Sequence, residues 1–291
     1  MKKLVLKFFN FFGFDLTRKR DIYEIKLYNN NYDEQTLKNK RFYNIGAGSF
    51  NHPYWTNIDY SSDWYSAVQS DYINFNLFSL DKLPIEDGIA KNVYTSHTIE
   101  HINDEAAQNI FNETYRILEK NGIFRIITPN IELEYRAMKD NDLDYFFWID
   151  SYSVKKEIDR VKITKPMNQA SIQQIFLYHF ASQTSTLHYY DKSDKINDEE
   201  FDKIFSTMEF QDALNYCTTK CLIDIQNENP GNHLNWWSFD KVSRMLEKAG
   251  FKTKYIFKSG YGQSFSPVMR NINLFDNTHP KISLYVEAIK D

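Results

Sequence analysis

The stretch Arg41-Phe42-Tyr43-Asn44-Ile45-Gly46-Ala47-Gly48-Ser49-Phe50, followed by Asn57-Ile58-Asp59, decides how this chain folds. A short run with strand character ends in Gly-Ala-Gly, and the next apolar run ends in an acid. Glycine enters the φ > 0 region freely and lets a backbone pass close to a ligand. An acid at the tip of the following strand can accept both hydroxyls of a ribose. This is the layout of a nucleoside-binding α/β domain.

Outward from this stretch, short apolar runs alternate with amphipathic segments as far as Asn130. The pattern predicts strands at 41–45, 55–59, 72–76, 90–96 and 122–128. Within 104–120, Ala107, Ile110, Phe111, Thr114, Ile117 and Leu118 recur at helical spacing, and Asn121-Gly122 is a helix stop. Strands alternating with helices predict a parallel, doubly wound sheet. Over 131–234 the alternation ceases. So long a gap is rarely a plain loop, and we read it as a large, mainly helical insertion. The sheet pattern resumes at Trp236, with a helix over 238–249 stopped at Gly250 and strands over 251–257 and 281–289. Residues 1–35 form an N-terminal helix and linker, 36–130 with 235–291 the nucleoside-binding domain, and 131–234 the insertion, which is expected to carry substrate choice.

Composition bounds the function. The 291 residues carry 25% charged side chains, as a globular protein does, and a net charge of −4, which gives no general attraction to nucleic acid. Aromatic residues reach 16%, with 23 Phe and 20 Tyr, and need a core, a groove or an interface to cover them. The two cysteines, Cys217 and Cys221, read as free thiols on one helix face. Residues 1–20 are basic and Phe-rich. Lys7, Asn10 and Asp15 interrupt the apolar run, so the segment is neither a secretory signal nor a membrane span. An amphipathic helix there suits the surface of an anionic membrane; packing on the domain, or on a second subunit of a homodimer, is the alternative. The chain is expected in the cytoplasm, with peripheral contact at the inner membrane face left open.

A lone G-x-G is a weak signal, but more of the chain follows one pattern. Gly46-Ala47-Gly48 is followed by Asp59, Leu83-Pro84, Ser96-His97-Thr98-Ile99-Glu100-His101, Arg116-Ile117-Leu118-Glu119-Lys120-Asn121-Gly122 and Thr128-Pro129-Asn130. The order resembles class I S-adenosylmethionine-dependent methyltransferases. More narrowly, it resembles a small bacterial branch with H-x-x-E-H after the fourth strand, associated with surface polysaccharide biosynthesis. The resemblance implies a doubly wound, seven-stranded Rossmann-like methyltransferase sheet with the insertion between strands five and six. It covers about 41–130 and 236–289. Two positions depart from the family pattern. Asn121 stands where a glycine is usual, and Asn76 where an acid often meets the adenine amino group, unless the register places Asp81 there.

The resemblance implies that S-adenosylmethionine lies against Gly46, Ala47 and Gly48, with Asp59 on its ribose, Asn76 near its adenine, and Ser96 and His97 beside the methionine and the reacting methyl. Methyl transfer from a sulfonium is an in-line displacement, so the protein mainly positions the acceptor and removes its proton. His97, Glu100 and His101 share one face if a helical turn starts at His97. They read as a general base with an orienting acid, as ligands of a divalent metal, or as structural caps, and we assign no metal from sequence. His233, where the insertion returns to the sheet, joins His97, Glu100 and His101 as a catalytic candidate. His179 and His188 in the insertion, and Trp236 and Trp237 as a sugar-stacking pair, read equally well as packed residues. The Tyr, Trp, Asn and Gln of the insertion suit a saccharide or other small hydroxylated acceptor. A nicotinamide-dependent oxidoreductase would want a third glycine where Asn51 stands. A non-catalytic partner that kept the fold is the remaining class.

Overall fold

A computed structural model describes residues 19–60, 72–190 and 194–291. The basic segment read as a membrane or packing helix therefore lies almost wholly outside the described residues. Seven strands form one sheet: β1 (Phe42–Ile45), β2 (Trp55–Asp59), β3 (Ile73–Asn74), β4 (Ala90–Ser96), β5 (Leu118–Pro129), β6 (Ile256–Lys258) and β7 (Ser283–Ile289), in the order β3-β2-β1-β4-β5-β7-β6. The first five pair in parallel, as expected. β7 is antiparallel to both β5 and β6, so the sheet is mixed where the alternation over 41–130 announced parallel strands. No α-helix lies between β6 and β7, and parallel neighbours need a crossover that antiparallel ones do not.

Alternation along the strands sorts side chains to two faces. Ile45, Val93, Phe124, Ile126, Val286 and Ala288 bury one face beneath α3 (Asp104–Ile117) and α10 (Phe239–Ala249), numbered with the helices below in chain order. Phe42, Trp55, Tyr94, Ile127 and Tyr285 bury the other with Met269 and Phe275. That second face is closed by α1 (Lys19–Asn31), whose fully buried Tyr28 accepts the Trp55 indole N–H at 2.5 Å. The Asn-rich stretch expected to be a linker is helical as far as Asn31, because this anchoring outweighs weak local propensity. Asp33 then caps α2 (Glu34–Lys38) by accepting the Thr36 N–H at 2.8 Å.

Element ends shift slightly from expectation. α3 ends at Ile117 rather than 120, and Asn121 takes the left-handed conformation at φ 64 expected of a turn residue. α10 starts after its cap Ser238, whose Oγ accepts the Lys241 N–H, and stops at Gly250 with φ 116. β6 shortens because 253–255 forms a 3-10 turn.

Between β5 and β6 come α4 (Ile131–Lys139), α5 (Lys155–Val161), α6 (Ile172–Phe180), α7 (Asp198–Thr207), α8 (Phe210–Thr219) and α9 (Ile223–Glu228). They enclose a separate core of Phe146, Met167, Phe176, Phe180, Phe201 and Leu214. Much of the aromatic content is spent there. Trp236 and Trp237 are also buried, at 3% and 1% exposure, so they anchor the core and cannot stack on a ligand. The two cysteines are free. Among the described residues no helix is long and apolar enough to cross a membrane.

Candidate active site

Strand order reverses between β1 and β4, and the carboxyl ends of these two strands open a cavity of about 500 Å³. Such a switch point is where α/β sheets take their ligands. Gly46 and Gly48 turn the chain there at φ 69 and φ 52. A Cβ on Gly46 would lie 2.1 Å from Thr98 Oγ1, so both conformation and contact demand glycine. The space beside Gly48 is open where a Cβ would project, which leaves its backbone accessible to a ligand.

Asp59, at the tip of β2, accepts the Gly48 N–H at 2.6 Å on Oδ2 and the Tyr60 N–H at 2.7 Å on Oδ1. Each oxygen keeps a further lone pair for a ribose hydroxyl. Phe75, Leu77 and Phe78 make an apolar wall further along the cavity. Asn76 lines it too, but its Oδ1 already accepts the Phe78 N–H at 3.0 Å, so one lone pair remains for an adenine amino group. Asp81, Ala47 and Ser96 do not line the cavity. Ala47 stands between the two lining glycines, and Ser96 ends β4 next to the lining His97.

The expected single face of His97, Glu100 and His101 does not form. His97 ends β4 in the left-handed region at φ 49, and the 3-10 turn starts only at Ile99. Its Nε2 lies 2.8 Å from Ser283 Oγ and its Nδ1 3.2 Å from Glu100 Oε1. The Nδ1 of His101 meets the Asn232 carbonyl at 2.9 Å. A carbonyl only accepts, so Nδ1 carries the proton and Nε2 is left with a lone pair. His233 is held the same way, its Nδ1 donating to the His179 carbonyl. The His101 and His233 rings meet edge to face, 4.6 Å apart. The ligand atoms of Glu100, His101 and His233 lie within 4.8 Å of one another.

Burial alone would raise the Glu100 carboxyl, but the facing His97, His101 and His233 outweigh it and hold it at about 2. Burial, reinforced by His101 and His179, pushes His233 well below 6.5, so it is neutral near pH 7. A second cavity of about 110 Å³ lies behind this layer, lined in part by Trp148, Tyr152, Tyr178, His179, His233 and His279. His101 and His97 face the large cavity, and His233 and His279 the small one. The His97 and His279 rings lie 5.4 Å apart, so imidazoles form the wall between the two.

Sequence reading missed several of these residues. Asn232 orients His101; His279 closes the wall; Thr98 locks Gly46. Glu134, 1% exposed, stands 2.9 Å from His179 Nδ1, and that ring stacks on Trp148 at 4.3 Å. Apart from Thr98, which lies within the Ser96–His101 stretch, none sits in a spaced motif. The position of His233 beside Trp236-Trp237 was the one usable signal.

Residues 47–126 match the family model described as a methyltransferase domain. A comparison with curated proteins gives no match. Among solved structures, the chain is similar to a SAM-dependent methyltransferase from Thermotoga maritima described as a possible histamine N-methyltransferase, with 12% identity, TM-score 0.39, and coverage of 94% of this chain and 89% of that one. A SAM-dependent methyltransferase from Archaeoglobus fulgidus gives 11% identity, TM-score 0.39, and coverage of 94% and 95%. One from Mesorhizobium loti gives 11%, TM-score 0.37, and coverage of 86% and 90%. The family match over 47–126, with the sheet order around it, supports a methyltransferase with S-adenosylmethionine as its cofactor. The site suits that cofactor: an acid for the ribose, an apolar slot for the adenine, and an open glycine backbone for the methionine end.

Proposed function

We propose that the protein moves the methyl group of S-adenosylmethionine to a hydroxyl of a saccharide, either a sugar or a phosphoramidate-bearing unit of a bacterial surface polysaccharide, or its nucleotide-linked precursor. The observation that carries this reading is the layout of the large cavity. Gly46, Gly48 and Asp59 line it together with His97, Thr98 and His101, and Gln226, Asn227 and Pro230 of the insertion overhang it. The overhang brings amide side chains to the acceptor side, where hydroxyls need hydrogen-bond partners. The 131–234 segment would then set acceptor choice. A basic N-terminal segment fits an acceptor assembled at the inner membrane face.

Gly46, Gly48, Asp59 and Asn76 hold the cofactor in this reading. Bound there, S-adenosylmethionine would supply an electrophilic methyl group to the acceptor oxygen, its sulfur taking the electron pair of the broken C–S bond. The cluster of His97, Glu100, His101 and His233 would take up the hydroxyl proton, and His97 and His101 line the same cavity as the cofactor residues. Two variants test this. Asp59→Ala should weaken S-adenosylmethionine binding by about 10- to 100-fold, the worth of hydrogen bonds to a charged group. His101→Ala should spare that binding and slow methyl transfer to sugar acceptors by about 100-fold or more. Calorimetric titration and a labelled-methyl assay read the two effects. Full turnover by His101→Ala would remove the cluster from the chemistry; unchanged binding by Asp59→Ala would overturn the cofactor pose.

A further inference from the structure

We propose that Glu100, His101 and His233 bind a divalent transition-metal ion at the wall of the cofactor cavity. The site deepens the methyltransferase reading, and it rests on that reading only for its place beside the acceptor. The set is not the His97-Glu100-His101 triplet of the sequence, because His97 spends both ring nitrogens on Ser283 and Glu100.

Three observations converge. First, the ligand atoms of the three side chains lie within 4.8 Å of one another, a span that one ion can bridge. Second, both imidazoles have their tautomer set from outside, His101 by the Asn232 carbonyl and His233 by the His179 carbonyl. A ligating histidine is commonly held this way, with one ring N–H donated to a backbone oxygen and the other nitrogen aimed at the metal. Third, the site gathers more acceptors than donors. Glu100 is 1% exposed, its Oε1 faces His97 Nδ1 at 3.2 Å without a hydrogen bond of good geometry, and each histidine is left with a lone pair. Converging acceptors in a buried place are costly unless a cation joins them.

Gln226 supports the arrangement. Its Nε2 donates to the Asn232 carbonyl at 2.8 Å and lies within 3.1 Å of the His101 carbonyl, tying the insertion to the turn that carries two ligands. Two nitrogens and one carboxylate suit zinc, iron, cobalt or nickel rather than calcium or magnesium. Three protein ligands leave coordination positions vacant, as in sites that take up a small oxygen ligand rather than purely structural ones. His101 lines the large cavity, so the vacant positions are on the side where an acceptor hydroxyl arrives.

The full chain, stripped with a chelator, is titrated with Zn²⁺ by calorimetry and with Co²⁺ by visible absorption. One equivalent should bind and give the absorption of nitrogen- and oxygen-ligated cobalt. His233→Gln and Glu100→Gln should each weaken binding by at least about 100-fold, a larger loss than outer partners cause. His279→Ala, next to the cluster but outside it, should leave binding within about threefold. Melting curves of the metal-free variants show whether each is folded; Glu100→Gln and His233→Gln are independent, so one folded variant suffices. S-adenosylmethionine is titrated against the same samples. Metal binding without cofactor binding would leave the site standing and sink the methyltransferase reading. Absence of Zn²⁺ and Co²⁺ binding to the wild-type chain, or binding that survives both ligand substitutions, overturns the site.

Discussion

Two buried polar clusters flank the sheet, and they are built in opposite ways. Around Arg125 every donor is answered. Its Nε and Nη2 take the two oxygens of Asp276, Nη1 takes Ser259 Oγ at 3.1 Å and the Gln263 carbonyl at 2.9 Å, and Nη2 also takes the Gly260 carbonyl at 2.9 Å. Glu287 sits 3.3 Å from Nη1 and accepts the Phe265 N–H at 2.9 Å. Arg125, Asp276 and Glu287 are all fully buried. The histidine cluster is not answered in this way. Glu100 Oε1 faces His97 Nδ1 at 3.2 Å and Glu134 Oε1 faces His179 Nδ1 at 2.9 Å, neither with hydrogen-bond geometry, while Glu134 Oε2 and the Tyr145 hydroxyl lack a partner as well. A saturated network holds the 259–276 loop to the sheet and does no chemistry. An unsaturated one costs stability and is kept where a ligand completes it.

Arg125→Ala should therefore have the largest effect, leaving two buried carboxylates unpaired at a cost of about 3–5 kcal/mol. Glu134→Gln should shift stability by less than about 1 kcal/mol, since it strips no saturated network. Urea unfolding compares the two, and equal losses would break the contrast between the clusters.

Acid should produce the next effect. Burial holds His52 and His188 down at about 4, so both are neutral in the folded chain near pH 7. The unfolded chain takes up protons below about 6.5 that the folded chain refuses. The loss of stability is thus absent above about 6.5, grows as pH drops, and levels off below about 4, at on the order of 3 kcal/mol for each histidine. Urea midpoints measured from pH 7 to 4.5 should decline steadily; a flat profile would place both rings in water. His188 bears on the site, since its Nε2 lies 2.8 Å from the Asn232 side chain and the Asn232 carbonyl orients His101.

The smallest effect is expected at Asn121, which holds φ 64 where glycine has no penalty. Asn121→Gly should raise stability by about 0.5 kcal/mol, readable as a small rise in melting temperature. A fall would mean that the asparagine side chain has a role of its own in the first part of β5.

What could be read from the sequence alone was local. Gly46 and Gly48 announce a turn at φ > 0, Asp59 ends the next alternating run, and Ser238 and Gly250 bracket a helix, because each signal acts within a few residues. The strand positions, six of the seven placed to within a few residues, followed from the same short-range periodicity. Trp236 and Trp237 showed the limit: their composition fits a sugar platform, and only packing put them in the core. The direction of β7 was equally hidden, since it depends on how a long loop returns. The pairing of His101 with His233, and the separation of His97 from them, was decided by tertiary structure. Those two rings are far apart along the chain and meet only because carbonyls of Asn232 and His179 aim them. Backbone conformation is encoded by neighbours in sequence, whereas the convergence of lone pairs depends on which distant segments the packed core brings together.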